Sequence, residues 1–240
     1  MGIFALAEAE SILGLCVYSL ALPLLLGYFL ERTHPAGGGA SALVIPGAMT
    51  LALGGPLAQV GYDWLKDTYL GRKALIQTVA PGSSVYLYAR LAFGALESLL
   101  IAASYLTLLI LIGSLRLKWA DAFLIMALVA AGSLALCSLG AFIADSSKSL
   151  EKGTAMVGIA TMALGLVSPV LYPIEALPWP IQWLARLSPF TGIASILRVE
   201  FESGTVSVPV FFASILQFLL LHGLFVFLIL RGPKRTSGND

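Results

Sequence analysis

Long apolar runs alternate with short polar links along this chain, and that alternation sets the first expectations. A helix rises 1.5 Å per residue and needs about 20 apolar residues to cross a hydrocarbon layer of about 30 Å. Residues 12–30, 43–62, 86–112, 121–144, 153–172 and 208–230 form runs of about that length, which predicts six transmembrane helices in one domain over residues 1–240. The first run is followed by Glu31-Arg32-Thr33-His34-Pro35 and a cluster of glycines. A cleaved leader would have a basic start and an apolar core of roughly 7–15 residues. This chain instead opens Met1-Gly2-Ile3-Phe4 and carries Glu8 and Glu10, so the run reads as a span. The second run contains Pro46, Gly47, Gly54, Gly55 and Pro56, and a bend or break is expected there.

Two segments do not fit a span. From Asp63 to about Gly82 the charges of Lys66, Asp67, Arg72 and Lys73 are interleaved with Trp64, Leu65, Tyr69, Leu70, Leu75 and Ile76. Such a pattern suits either a solvated loop or an amphipathic helix that lies along the membrane and meets a partner. From Pro173 to Ser207, Pro178, Pro180 and Pro189 with two tryptophans (Trp179, Trp183) rule out one continuous span. Short helices dipping into the membrane surface fit better.

Composition agrees with the pattern. The chain is 58% hydrophobic and 11% charged, against about 25% charged in soluble domains. A net charge of +1 gives no basic excess for nucleic acid. Cys16 and Cys137 lie inside apolar runs and read as small buried side chains. With both termini in the cytoplasm, Lys66, Arg72, Lys73, Lys148, Lys152, Arg231, Lys234 and Arg235 fall inside, against Arg32, Arg116, Lys118, Arg186 and Arg198 outside. The positive-inside bias therefore favours inner termini.

Candidate chemistry is sparse. No glycine-rich loop ends in Gly-Lys-Ser or Gly-Lys-Thr, and no His-Glu-x-x-His, Cys-x-x-Cys or Gly-x-Ser-x-Gly motif occurs. The chain reads as no enzyme, and His34 and His222 are too isolated to suggest a metal site. In the fifth run Thr154, Gly158, Thr161, Gly165 and Ser168 recur at spacings of four, three, four and three, which is one helical face. Small and hydroxyl residues on such a stripe serve close helix packing or line a pathway, and both fit if the partner is the same helix of a second subunit. Glu97 lies within the third run, where a bare carboxylate costs about 2.5–3.5 kcal/mol at a helix centre. It is expected to be paired or to act in gating, with Gln217 and His222 as candidate partners.

The residues Leu166-Val167-Ser168-Pro169-Val170-Leu171-Tyr172-Pro173-Ile174-Glu175-Ala176-Leu177-Pro178, then Leu187-Ser188-Pro189-Phe190-Thr191 and Arg198, resemble the signature of type-2 ATP-binding-cassette exporter permeases. Ile45-Pro46-Gly47 resembles the Pro-Gly that opens the family's second helix, and the six runs follow its order. The resemblance implies a homodimer or pseudo-dimer of six-helix subunits in a prokaryotic cytoplasmic membrane. A separate cytoplasmic ATPase would hold ATP and Mg, while this chain would bind no cofactor and touch only lipid, its second copy and the ATPase. The coupling helix would be about residues 64–78, with Trp64, Asp67, Leu70, Gly71, Arg72, Lys73, Leu75 and Ile76 at the ATPase contact. Re-entrant helices would occupy about 174–201, with Tyr172, Pro173, Glu175, Pro178, Pro189 and Arg198 at the turn. Family members usually begin with a longer amphipathic helix than the ten or so residues preceding the first run here, and Gly71-Arg72-Lys73 stands where they carry Gly-Thr and an acidic residue.

The expected function is export of a hydrophobic or amphipathic molecule, such as a drug-like metabolite or lipid. Export of a lipid-linked polysaccharide is the alternative within the family, and would favour a continuous aromatic lining. An ion channel or proton-coupled carrier built around Glu97, Gln217 and His222 is the alternative of another class.

Overall fold

A computed structural model describes residues 46–47, 49–71, 83–111, 118–168, 170, 172, 174–203 and 208–231. The first apolar run and Arg72, Lys73, Leu75, Ile76 and Pro173 lie outside the described residues. All regular structure among the described residues is helical. The elements are α1 (Gly54–Tyr69), α2 (Ser83–Leu111), α3 (Trp119–Ser146), α4 (Leu150–Val167), a 3-10 turn (Ile174–Ala176), α5 (Trp179–Leu187), α6 (Pro189–Ser203) and α7 (Val208–Arg231). Among them, four helices are long and apolar enough to cross a membrane: Ser84–Thr107, Trp119–Ser146, Leu150–Val167 and Val208–Arg231. These correspond to the third, fourth, fifth and sixth runs.

Among the described residues the second run does not break. Helical turns at 46–47 and 49–52 lead into α1 through Leu53, which keeps right-handed helical angles (φ −70°, ψ −9°). The ladder only loosens there: the Leu53 N–H donates to the Thr50 carbonyl at 3.2 Å, a three-residue step. Nor does α1 stop at Tyr62, where a separate coupling helix was expected to follow. Leu57, Val60, Gly61, Trp64 and Leu65 are buried at alternating spacings of three and one on a single face, so the helical stripe carries straight through Asp63. The helix ends at Leu70, and Gly71 follows with φ +71°, the left-handed conformation that a glycine adopts without steric cost. Trp64 and Asp67 therefore belong to the last turns of a bundle helix and face inward, a correction to their expected place on a partner-facing surface.

The central helix is α3, which packs on α1, α2, α4, α6 and α7. Its small residues allow this. A Cβ on Gly140 would collide with the Leu57 carbonyl oxygen of α1, and one on Gly61 of α1 would lie 2.9 Å from Val157 Cγ1 of α4. Backbone thus approaches backbone, which maximises van der Waals contact where lipid supplies no hydrophobic drive between helices. Buried side chains form two clusters. One joins Met49, Leu53 and Leu57 to Phe190, Ile193 and Phe218; the other joins Trp64, Leu65 and Val60 to Leu87, Leu91 and Val157.

Cross-helix bonds define the ends of the bundle. Trp64 Nε1 donates to Asp145 at 3.0 Å and the Tyr69 hydroxyl to the Ser147 carbonyl at 3.0 Å. The C-terminal end of α1 therefore sits beside the corner between α3 and α4. His222 and Phe225 of α7 meet Ser138 and Phe142 of α3, so α7 runs parallel to α3 and brings Arg231 towards Lys148 and Lys152. The basic residues Lys66, Lys148, Lys152 and Arg231 share this end of the molecule.

Gly140→Leu should be strongly destabilising, because overpacking against backbone typically costs about 1–3 kcal/mol or more. Gly223→Leu, where nothing lies within 4 Å, should be nearly neutral. Melting of the two purified variants in detergent, followed by tryptophan fluorescence, checks the contrast.

Candidate functional site

The stripe in α4 turns towards α1 of the same chain. A Cβ on Gly158 would lie 3.4 Å from the Tyr62 hydroxyl, one on Gly165 would lie 3.2 Å from Leu51 Cδ2, and the Thr161 methyl lies near Gly54. Thr154 is exposed, Gly158, Thr161 and Gly165 are half-buried, and Ser168 is buried. Packing and lining then coincide. Between α1 and α4 a cavity of about 340 Å³ opens. Leu51 and Gly54 wall one side, and Thr161, Met162, Gly165 and Leu166 the other. Tyr172 and Phe190 close one end.

This cavity is apolar in its chemistry as well as its carbon count. Thr161 Oγ1 already donates to the Val157 carbonyl at 2.8 Å, and the Tyr172 hydroxyl donates to the Leu166 carbonyl. Neither hydroxyl proton is left for a guest. The outward face of α4 is aliphatic, with Met156, Ile159, Met162 and Leu166 between 46% and 72% exposed, and the helix contains no aromatic residue.

The segment after α4 is built by its signature residues. Helix α4 stops at Val167, short of the expected Tyr172, because Ser168 precedes Pro169 and takes extended angles (φ −73°, ψ 129°). Pro178 caps α5 and Pro189 is the first residue of α6, where a missing N–H costs nothing. Ser168 and Ser188, both buried, bond through their hydroxyls at 2.7 Å and tie the end of α4 to the α5–α6 turn. Arg198 Nη2 donates to the Val170 carbonyl at 2.5 Å and Nη1 to the Tyr172 carbonyl at 3.5 Å. The arginine at the end of the signature is thus a clamp on the backbone after α4. Glu175 is exposed and Pro189 buried. Helix α6 packs into the bundle through Phe190, Ile193 and Leu197, whereas α5 buries only Ala185 and leaves Trp179 and Trp183 outside. Sequence reasoning missed Ser188 as a partner of Ser168, since a serine before proline signals a turn but not a contact twenty residues back.

The three intramembrane polar groups do not converge. Gln217 Nε2 donates to the Arg186 carbonyl at 3.0 Å, fastening α7 to the end of α5. His222 Nδ1 lies 2.6 Å from Ser138 Oγ. Neither is the partner of Glu97, contrary to expectation, because each is engaged on a different helix. Glu97 is 6% exposed, and its Oε2 has no hydrogen-bond partner among the described residues.

At the Lys66 end, Asp67 is buried and accepts from the Tyr86 hydroxyl and from Arg90 Nη2, the latter at 2.5 Å. Arg90 Nη1 also reaches Asp63 at 3.2 Å. Leu70 is 59% exposed beside Gly71. Sequence reasoning missed Asp63, Tyr86 and Arg90, which come together only when α1 and α2 pack side by side.

Residues 77–202 match the family model described as ABC-2 type transporter. No curated protein matches the chain.

Arg198→Ala should destabilise the chain by about 1–3 kcal/mol, the cost of leaving a buried acceptor such as the Val170 carbonyl unsatisfied. Ser188→Ala should cost about 1 kcal/mol, the value of one ordinary hydrogen bond. Thermal unfolding of both variants in detergent would check the order.

Proposed function

The chain belongs to the ABC-2 type transporter family, and from that membership of a transport permease we propose that it forms the membrane path of an exporter for hydrophobic or amphipathic molecules, driven by a separate cytoplasmic ATPase. The family membership makes it a multi-pass transporter subunit. The observation that carries the finer reading is the cavity between α1 and α4. Its walls are aliphatic and its two hydroxyls spend their protons on backbone carbonyls. A polar guest would lose its hydration there without finding donors, and each unsatisfied polar group costs several kcal/mol in such surroundings. An apolar guest loses nothing comparable. The same feature weighs against a polysaccharide, which calls for aromatic faces along the path; α4 offers none, and Tyr172 and Phe190 stand at one end only.

Orientation follows from charge. Lys66, Lys148, Lys152 and Arg231 at one end of the bundle support a cytoplasmic position for that end. The re-entrant segment with Trp179 and Trp183 then lies at the outer face, near the mouth of the cavity. A homodimer is part of this reading: a second copy would cover the exposed aliphatic face of α4 and turn the open cavity into an enclosed path. The residues from Leu70 through Ile76 would meet the ATPase, with Leu70 as the exposed anchor next to the helix end. Trp64 and Asp67 would act from behind that contact.

Two outcomes test this. Replacing Leu70, Leu75 and Ile76 together by aspartate should abolish co-purification of an ATPase with the tagged chain, while the permease itself is recovered at normal yield. Gly165→Leu, which fills the cavity, should lower ATP-dependent efflux of a lipophilic dye from cells far more than it lowers expression. Efflux that persists with no ATPase associated would sink the reading.

A further inference from the structure

Besides the cavity already described, a second one of about 190 Å³ lies among α3, α4 and α7. Leu139 of α3, Leu164 of α4 and Leu221 and Phe225 of α7 line it, with Leu184 of α5 and Ser188 of the α5–α6 turn. The Ser188 hydroxyl is engaged with Ser168, so the walls offer a guest little except carbon. Such a space forfeits van der Waals contact when empty, and water gains nothing by entering it without polar partners.

The same three helices bring cations to one end. Because α7 runs parallel to α3, Arg231 finishes on the side of the α3–α4 corner, where Lys148 stands, and of Lys152 in the first turn of α4. Leu221, Leu224, Leu228 and Arg231 recur at spacings of three, four and three, so the arginine ends a stripe that begins at the cavity. On α4, Lys152 stands four residues before Met156, whereas Glu151 stands three before Thr154 and seven before Gly158. Gly158 faces Tyr62 of α1, which puts Glu151 on the α1 flank and Lys152 on the other. Lys148, Lys152 and Arg231 are exposed, and none forms an ion pair among the described residues.

Depth agrees with charge. Phe225 and Leu221 precede Arg231 by six and ten residues, about 9 and 15 Å of helix. One leaflet of a hydrocarbon layer of about 30 Å is about 15 Å deep. An acyl chain whose head group sits beside Arg231 therefore runs past the cavity along its length.

We propose that this cavity and its basic end bind one anionic phospholipid, with an acyl chain against Leu221 and Phe225 and the phosphate among Lys148, Lys152 and Arg231. Basic groups at the end of a cleft between membrane helices suit an anionic head group, and carbon walls suit the chain. A second copy seated here by two-fold symmetry would bring its own three cations to the same place, which favours the lipid as occupant. The bound chain supports the α5–α6 turn where protein leaves a gap. Which leaflet supplies the lipid rests on the orientation proposed above; the binding itself does not.

The purified full chain in detergent is titrated with dioleoyl phosphatidylglycerol or dioleoyl phosphatidylcholine, and retained lipids are counted by native mass spectrometry. One phosphatidylglycerol per chain should be held, with phosphatidylcholine more than about tenfold weaker, since each cation near a membrane surface contributes roughly fivefold. Changing Lys148, Lys152 and Arg231 to glutamine should abolish the preference, whereas Lys66→Gln, at the same end but on α1, should leave it. Dihexanoyl phosphatidylglycerol, with the same head group but chains too short to reach the cavity, should not compete. A phosphatidylglycerol carrying a diazirine near the chain end should label the peptides around Leu184 or Leu221. Leu221→Trp, which fills the cavity and keeps the charge, should release the lipid; if that variant does not fold, labelling of the unaltered chain decides. Equal retention of the two lipids, displacement by the short-chain lipid or labelling elsewhere would overturn the site. So would a dimer that forms through this face in place of bound lipid. Retention of the lipid by a chain that exports nothing would leave this site standing while the transport reading fell, so the two failures are told apart.

Discussion

Backbone-to-backbone approach of α1 on α3 is the constraint from which the rest of this bundle follows. Gly140 admits the Leu57 carbonyl, and Gly61 on the same helix admits Val157 of α4. The cavity lies between α1 and α4, and Gly54 and Gly165 help to line it. In water such packing would be reinforced by expulsion of apolar surface; in lipid it depends on van der Waals contact and on satisfied polar groups. That is why glycine, rather than leucine, marks the sites that decide the geometry.

Polar bonds then secure what close packing alone would leave loose. At one end Ser168–Ser188 and Arg198 hold the irregular chain after α4 against the α5–α6 turn. Irregular backbone at membrane depth is tolerated only when its carbonyls find partners, and Arg198 provides two donors for that purpose. At the other end Asp67, Asp63 and Arg90 join α1 to α2, and Trp64 and Tyr69 extend the join to the α3–α4 corner. The functional consequence is a division of labour within one chain, with an apolar cavity towards one end and a charged joint at the other.

Glu97 stands apart from both. It is buried on α2, and the histidine and glutamine that sequence offered as partners serve to attach α7 to α3 and to α5. A long apolar helix such as α7 places its few polar groups wherever an unsatisfied acceptor on a neighbour needs a donor, and that need cannot be read from α7 alone.

Local pattern was enough to establish the spans: run length and hydropathy located α2, α3, α4 and α7 to within a few residues, because a lipid-facing helix must satisfy its backbone internally and be apolar throughout. It was also enough to mark the Ser168 to Arg198 stretch as special, since prolines and a lone arginine in an apolar context have narrow uses. The continuation of α1 through Asp63 was decided by tertiary structure, because the two acidic residues there, Asp63 and Asp67, are paired with Arg90, twenty-odd residues away. The same holds for the inward position of Trp64 and Asp67, the Ser168–Ser188 bond and the choice of α1 as the partner of the α4 stripe. Each of these depends on which helix lies opposite, and spacing along one helix defines a face without saying what that face will meet.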